Sequence, residues 1–443
     1  MTSFDNYLKN NRILWLFNIG VEQFWNETKF SINDETEDFI VSRMAELCLL
    51  LCKKEDLLIL REYPDENFLE FLRNVGFETP QILKPHIKND TMYITELILK
   101  DNVLQAEIKA CNINQDIIFI PFGVSKLEEE LASACMLTLI GPNSEISEKV
   151  NNKIFNREIS KYLGLKTSEG SVCENYDEMI NSSKYLFNDL GFEKVVIKDP
   201  YGASGKGLYI MDDINTITSF SRKLARKNEK KWLVEGWYKK NSDINYQIFI
   251  SEDGKVENLL ITEQLVDESV YKGSTFPVKI SSDKSLEYKD YGKIIGRYLY
   301  GLGYRGIASI DSIIDIEGKI IPIIEINARL SLSTYLYKLT HIFNGKKIMS
   351  KYLRLLTNKS ITFKHICNIL NSYHILYDMN LQEGVLVYVS STLPSKNTKI
   401  GDIYLGRLFV LIIGKNQNAL DEYESALVNC FKDFNLLKKG ENI

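Results

Sequence analysis

An α/β region followed by an α+β region is the fold this sequence predicts, and three patterns carry that expectation. Strand-like and helix-like segments alternate through the first third, as in an open α/β sheet. The middle third changes to strands joined by short turns, such as Glu252-Asp253-Gly254 and Glu317-Gly318, the mark of antiparallel hairpins. The last third holds two alternating strands and one amphipathic helix, a small α/β region of its own. A chain of 443 residues has room for about two to four domains.

Taken in order, residues 13–19 read as a buried strand, 35–52 as an amphipathic helix and 57–60 as a second strand. Asp65 is placed to cap a helix that runs to Val75 and stops at Gly76. A strand over 117–122 and a helix over 127–135 complete a first domain, 1–142. A second domain, 143–355, opens with a helix over 156–163. Its strands are expected at 194–197, 208–211, 231–235, 244–250, 256–262, 307–314 and 319–326. A small C-terminal domain, 356–443, has strands at 385–390 and 408–413. Its helix, 421–431, carries Tyr423, Ala426, Leu427 and Cys430 on one face. No repeat or low-complexity tract interrupts this order.

Composition excludes several classes of function. Hydrophobic residues make up 44% and charged residues 26%, the balance of a soluble globular protein. Net charge is −5 without a clustered Lys/Arg face, so no nucleic-acid partner is expected. Seven scattered cysteines contain no CxxC pair, which argues against zinc sites and disulfides and fits a reduced cytoplasm. The first eleven residues lack a signal-peptide layout, and the strongest apolar run, 45–52, is too short to span a bilayer. The four histidines, His86, His341, His365 and His374, all lie away from the motifs below, so a histidine-based site is not expected.

Two motifs carry chemistry. In the first, Val195-Val196-Ile197-Lys198 leads into Gly202-Ala203-Ser204-Gly205-Lys206-Gly207. Glycines let backbone N–H groups approach phosphate oxygens, and a lysine adds a point charge. A Walker A loop would need GxxxxGK[ST] and a following helix; here the loop runs into a second strand. On this motif alone a plain β-turn stays open. In the second, Glu325, Asn327 and Arg329 alternate and so share one face of an extended strand. A three-residue turn at 317–319 would set Asp311 opposite Glu325, whereas a two-residue turn would not. Such oxygen ligands suit Mg²⁺. Arg329 has the planar fork that holds a carboxylate or phosphoryl group. The alternative is a solvated face with a Glu325–Arg329 ion pair. Two adjacent carboxylates would repel unless a cation lies between them.

In this order the motifs resemble the ATP-grasp superfamily over roughly residues 143–350. The resemblance implies a pre-ATP-grasp α/β domain, a two-subdomain ATP-grasp fold that clamps ATP, and a small C-terminal domain. It makes Lys153 and Lys198 phosphate ligands and Gly202 to Gly207 a mobile loop over the nucleotide. Glu235, Gly236 and Trp237 become the adenine-binding hinge, and Asp243 the ribose contact. Asp311, Glu325 and Asn327 become magnesium ligands, with Arg329 and Arg305 as anion clamps. Ser331, Ser333 and Thr334 would line the acceptor side or cap a helix. Gly303-Tyr304-Arg305-Gly306, Glu325-Ile326-Asn327-Ala328-Arg329 and Ile261-Thr262-Glu263-Gln264 leading to Tyr271-Lys272-Gly273 resemble pheganomycin-type peptide ligases and butirosin-type glutamate–acyl carrier protein ligases. The implied reaction activates a small carboxylic or amino acid with ATP and Mg²⁺ as an acyl phosphate. An amine or peptide acceptor would then give an amide, in specialised metabolite biosynthesis. An acyl carrier protein thiol is the alternative acceptor, and a non-catalytic ATP-binding regulator is a further one. No Met-Lys-Met biotin-attachment motif occurs, which argues against a carboxylase.

Overall fold

Five short apolar runs of the first domain pair in parallel in the order β3-β2-β1-β4-β5. They are β1 Arg12–Leu16, β2 Leu57–Ile59, β3 Gln81–Leu83, β4 Ile117–Pro121 and β5 Thr138–Leu139. The computed structural model describes residues 3–25, 35–202, 207–225, 231–267 and 270–437. Every residue of β4 is buried, as a parallel strand covered on both faces requires. Asp65 accepts from the Asn67 N–H, and Gly76, at φ 108°, ends that helix in the left-handed region, both as expected.

The helix expected over 35–52 is broken. Glu35–Ser42 is α-helical, and Met44–Leu50 is a 3₁₀ turn with all seven residues buried. An amphipathic helix needs a wet face, and Met44-Ala45-Glu46-Leu47-Cys48-Leu49-Leu50 has none to offer. This turn packs between the first sheet and the C-terminal strands. There the Glu46 carboxylate accepts from the Ser390 N–H at 2.5 Å and the Ser391 N–H at 3.0 Å.

A second sheet, in the order β6-β9-β7-β8, comprises β6 Gly170–Cys173, β7 Val195–Lys198, β8 Leu208–Met211 and β9 Trp232–Gly236. Helices Tyr176–Asn188 and Ile214–Ala225 pack against it. The chain passes from β9 straight into the third sheet, so residues 237–239 form the link between the two.

The third sheet has nine strands among the described residues. These are β10 Lys240–Ile250, β11 Val256–Asp267, β12 Val270–Phe276, β13 Gly306–Asp315, β14 Ile320–Asn327, β15 Lys347–Thr357, β16 Gly384–Val389, β17 Lys399–Ile400 and β18 Ile403–Gly414. Their order is β14-β13-β10-β11-β12-β15-β18-β16, with β17 paired to β18. Ile244, Tyr246 and Ile248 point to the face covered by the helix Ser282–Gly301. Asn245 and Gln247 therefore take the other face. Pairing of Ser274 with Ser350 carries the sheet into the C-terminal strands. The division expected at 355/356 falls inside β15, which pairs with β18 along its whole length.

The β13–β14 hairpin reaches the required register by an unexpected route. Asp311 does pair with Glu325. Next to the turn, however, Ile313 pairs with Ile321 and Ile314 with Ile320, a register that would set Asp311 against Ile323. Between Ile321 and Glu325, β14 advances four residues while β13 advances two. Pro322 lies in that stretch and has no N–H for the ladder, so a bulge is tolerated there.

Candidate functional site

Lys153 joins the two later sheets. Asn152 caps its helix by accepting from the Ile154 N–H at 2.9 Å, and the Lys153 N–H donates to the Pro200 carbonyl at 2.9 Å. The ammonium donates to Glu325 Oε1 at 2.8 Å and to the Gly202 carbonyl. One buried cation thus touches both the acidic strand and the entrance of the glycine loop. The loop closes a β7–β8 hairpin as expected, with Lys198 paired to Leu208 and Gly207 at φ 75°. Ala203, Ser204, Gly205 and Lys206 lie outside the described residues.

Lys198 donates to Glu235 Oε2 at 2.6 Å, and Arg157 Nη1 donates to Glu235 Oε1 at 2.9 Å. All three side chains are at most 8% exposed. Two cations share one carboxylate in a dry place, which leaves a positive charge that favours an anion such as phosphate. Arg157 also donates to the carbonyls of Ser168 at 2.7 Å and Gly170 at 2.5 Å. Sequence reasoning missed it. The signal was its position one helical turn after Lys153, on the same face.

The hinge residues are engaged within the protein. Besides the Glu235 side chain, the Gly236 N–H donates to the Glu169 carbonyl at 3.0 Å. The Trp237 N–H donates to the Lys194 carbonyl at 2.9 Å. Asp243 pairs with Lys240 at 2.7 Å and lies two residues before Asn245 on the same strand.

Asp311 is the most densely held acid of the site. Its Oδ1 accepts from Asn245 Nδ2 at 2.8 Å and Gln264 Nε2 at 2.9 Å, and its Oδ2 accepts from Asn327 Nδ2 at 3.0 Å. Burial, and then the charge of Glu325, push the Asp311 carboxyl up to about 6. That repulsion is what a cation between the two carboxylates would relieve. Among the described residues no three His, Cys, Asp or Glu side chains converge on a metal position. Two carboxylates and the Asn327 amide fit a hard cation that takes its other oxygens from phosphates and water. Gln264 belongs to the Ile261-to-Gln264 motif, but its bond to Asp311 was not foreseen. Asn245 could have been found as a polar residue alternating with Ile244 and Tyr246.

Helix and strand are fastened by amides as well. Asn156 Oδ1 accepts from the Ile326 N–H at 2.7 Å, and Asn151 Oδ1 from the Ala328 N–H at 3.1 Å. Edge strand β14 thereby has its open N–H groups covered.

Ser331, Ser333 and Thr334 form a buried network and not a helix cap. Gln247 Nε2 donates to Ser333 Oγ at 2.7 Å, and Thr334 Oγ1 donates to Gln247 Oε1 at 2.8 Å. Ser333 Oγ reaches Asn245 Oδ1 at 3.2 Å. Ser333 precedes the 3₁₀ turn Thr334–Leu336 but makes no side-chain cap bond. The loop after Arg329 is therefore connected to Asp311 through Asn245.

Arg329 and Arg305 have different surroundings. Arg329 lies beyond the end of β14, with its Nε 3.0 Å from Glu22 Oε1 and its guanidinium 5.1 Å from the Phe122 ring. Both partners belong to the first domain. Arg305 stacks on Tyr300 at 3.7 Å and donates to the Tyr304 carbonyl at 2.8 Å. It lies six residues before Asp311, about 20 Å along an extended strand. The structure gathers Lys153, Gly202, Glu325, Asp311 and Asn327, and it does not bring Arg305 to them.

A family model described as the ATP-grasp domain matches residues 181–333. Over that stretch the chain carries an ATP-grasp domain. The [butirosin acyl-carrier protein]–L-glutamate ligase of Niallia circulans is 27% identical over 430 residues, 95% of this chain and 94% of that protein. The 2-oxoglutarate carboxylase small subunit of Hydrogenobacter thermophilus is 21% identical, over 67% of this chain and 64% of that protein. Among solved structures, biotin carboxylase from Campylobacter jejuni has a TM-score of 0.57 at 13% identity, covering 96% of this chain and 92% of that one. The ADP complex of N5-carboxyaminoimidazole ribonucleotide synthetase has a TM-score of 0.52 at 13% identity, covering 96% and 97%. These two likenesses concern the fold. The family, the fold class and the enzyme class expected from the sequence, an ATP-dependent ligase, are borne out. No helix among the described residues is long and apolar enough to cross a membrane.

Proposed function

We propose that this ATP-grasp protein uses Mg-ATP to convert a carboxylic acid to an acyl phosphate and passes the acyl group to a nucleophile. The observation that carries this reading is the convergence of Lys153, Glu325, Asp311 and Asn327 at the mouth of the glycine loop. Phosphoryl transfer depends mainly on positioning and charge neutralisation. In this reading Lys153 and Lys198 neutralise phosphate oxygens. Asp311, Glu325 and Asn327 would hold magnesium, which supplies further neutralisation of the phosphates when bound.

An oxygen of the acid attacks the γ-phosphorus, and the bond to the bridging oxygen breaks to release ADP. The nucleophile then attacks the acyl carbon, and inorganic phosphate leaves. Arg329, about 7 Å along the chain from Asn327, is the residue we assign to hold the acid's carboxylate. Asp243 and the hinge residues Glu235, Gly236 and Trp237 remain our candidates beside the nucleoside, with the Glu235 side chain acting through Lys198.

The nucleophile we favour is a carrier-protein thiol. The support is the similarity to the butirosin ligase along 95% of this chain. An amine acceptor, giving an amide, is the second reading. The test is ADP release across a panel of acids with Mg-ATP, using hydroxylamine to trap acyl phosphate as hydroxamate. Hydroxamate from one class of acid is the expected result. Absence of ADP release and hydroxamate with every acid, with and without carrier protein, would sink the proposal.

A further inference from the structure

We infer that Lys272, Arg354 and Arg407, gathered round Tyr352, bind the phosphodiester of a carrier protein's thiol-bearing arm; this rests on the carrier-thiol reading above. The cluster lies on the catalytic face of the third sheet. Asp311 pairs with Asn245 and Asn245 with Thr262, so these three share one face. Gln264, two residues on from Thr262, takes the same face and pairs with Ser274, which pairs with Ser350. Further along β15, Tyr352 and Arg354 keep that face, opposite Phe409 and Arg407 of β18.

Tyr352 is the floor of the cluster, and its ring packs on Phe409 with 5.5 Å between centroids. The Arg407 guanidinium stands 5.0 Å and the Lys272 ammonium 5.7 Å from the Tyr352 ring centroid. Arg354 and Arg407 are directly opposite, where like charges repel unless an anion lies close by. The protein supplies anions of its own. Glu37, on the helix Glu35–Ser42, pairs with Arg407, and Asp267 lies 3.9 Å from Lys272. Both acids stand at the rim, 37% and 50% exposed, whereas Arg407 and Lys272 are 12% and 17% exposed. The cations are thus fixed by the sheet, and the acids are the partners that an incoming anion can displace. A phosphodiester suits the place, since a guanidinium fork takes two phosphate oxygens at once and partial burial weakens screening by salt.

The spacing fits the chemistry. Gln264 donates to Asp311, and from Gln264 to Tyr352 is two strand spacings across and two residues along, about 12 Å. A carrier protein's arm has about thirteen bonds between phosphorus and sulfur, about 16 Å when extended. A phosphate held at the cluster therefore brings the thiol to the acidic hairpin, where the acyl phosphate forms. A small amine acceptor offers no such anion at that distance.

The experiment supplies the protein with Mg-ATP, an acid that yields hydroxamate, and either pantetheine or phosphopantetheine, and measures thioester. The phosphorylated thiol should be preferred by about 10- to 100-fold in kcat/KM, the worth of one charge-assisted contact. In Arg354→Gln and in Lys272→Gln that preference should fall to within about threefold. Hydroxamate formation should be spared in both, because hydroxylamine carries no phosphate. Arg354→Lys should restore part of the preference, which a merely structural arginine would not do. Equal use of the two thiols by the native protein, or full preference kept in both Gln variants, would overturn this inference alone. Hydroxamate without thioester from either thiol would overturn it together with the carrier-thiol reading. No ADP release or hydroxamate with any acid would overturn the ligase reading as well.

Discussion

Asp311 is where the site's electrostatics are most exposed to experiment. A carboxyl held near 6 binds its proton more tightly in the folded protein than in the unfolded chain. Its contribution to stability is therefore fully present below about pH 4 and lost as pH rises through about 6. Magnesium competes with that proton, so its affinity moves the opposite way. Titration calorimetry with MgADP should show affinity falling about tenfold between pH 7 and pH 5; a flat profile would remove Asp311 from the metal's surroundings. Glu325→Gln should abolish turnover while nucleotide without metal still binds, measured by ADP release and equilibrium binding. Arg157 should matter without touching substrate. Arg157→Ala leaves the Ser168 and Gly170 carbonyls without their guanidinium partner and frees Glu235 to hold Lys198 alone. It should raise KM for ATP by about tenfold or more, with Arg157→Lys recovering only part because lysine lacks the fork. Unchanged KM in Arg157→Ala would make the residue a structural tie.

At the scale of elements, the β13–β14 hairpin and the helix Lys153–Tyr162 act as one unit. Asn151 and Asn156 hold the open edge of β14, and Lys153 crosses to Glu325. Periodicity made both elements legible, since Glu325, Asn327 and Arg329 alternate with apolar residues. Their register was not legible, because the bulge at Pro322 shifts it after the turn has been made. Asn245 belongs to the same scale, as it joins Asp311 to the loop carrying Ser331, Ser333 and Thr334. Asn245→Leu would strand these groups and should cost about 2–4 kcal/mol in urea unfolding. It should also lower kcat more than nucleotide affinity. A loss below about 0.5 kcal/mol would show that the network is dispensable.

For the whole molecule, the nine-stranded sheet joins the middle and last parts of the chain, and the buried turn Met44–Leu50 joins the first part to the last. Glu46 reaches Ser390 and Ser391 across 344 and 345 positions. Glu46→Ala leaves those N–H groups buried without an acceptor and should cost about 2–4 kcal/mol. Chemical denaturation monitored by intrinsic fluorescence checks this, and an unchanged midpoint would show that the contact carries no stability.

By itself the sequence determined the order of elements, the α/β then α+β architecture, the glycine hairpin and the acidic strand. These rest on local facts: side-chain period, capping residues and turn composition act over a few residues. Only the tertiary structure decided that 35–52 breaks into helix and 3₁₀ turn, because its apolar circumference is covered by β1 and β2 on one side and by β16, more than 300 positions away, on the other. The tertiary structure alone paired Lys198 and Arg157 on Glu235, and set Glu22 against Arg329 with more than 300 positions between them. It also left Arg305 at the far end of β13. An ion pair between distant residues has no local signature, since its strength depends on burial and separation that the folded chain creates.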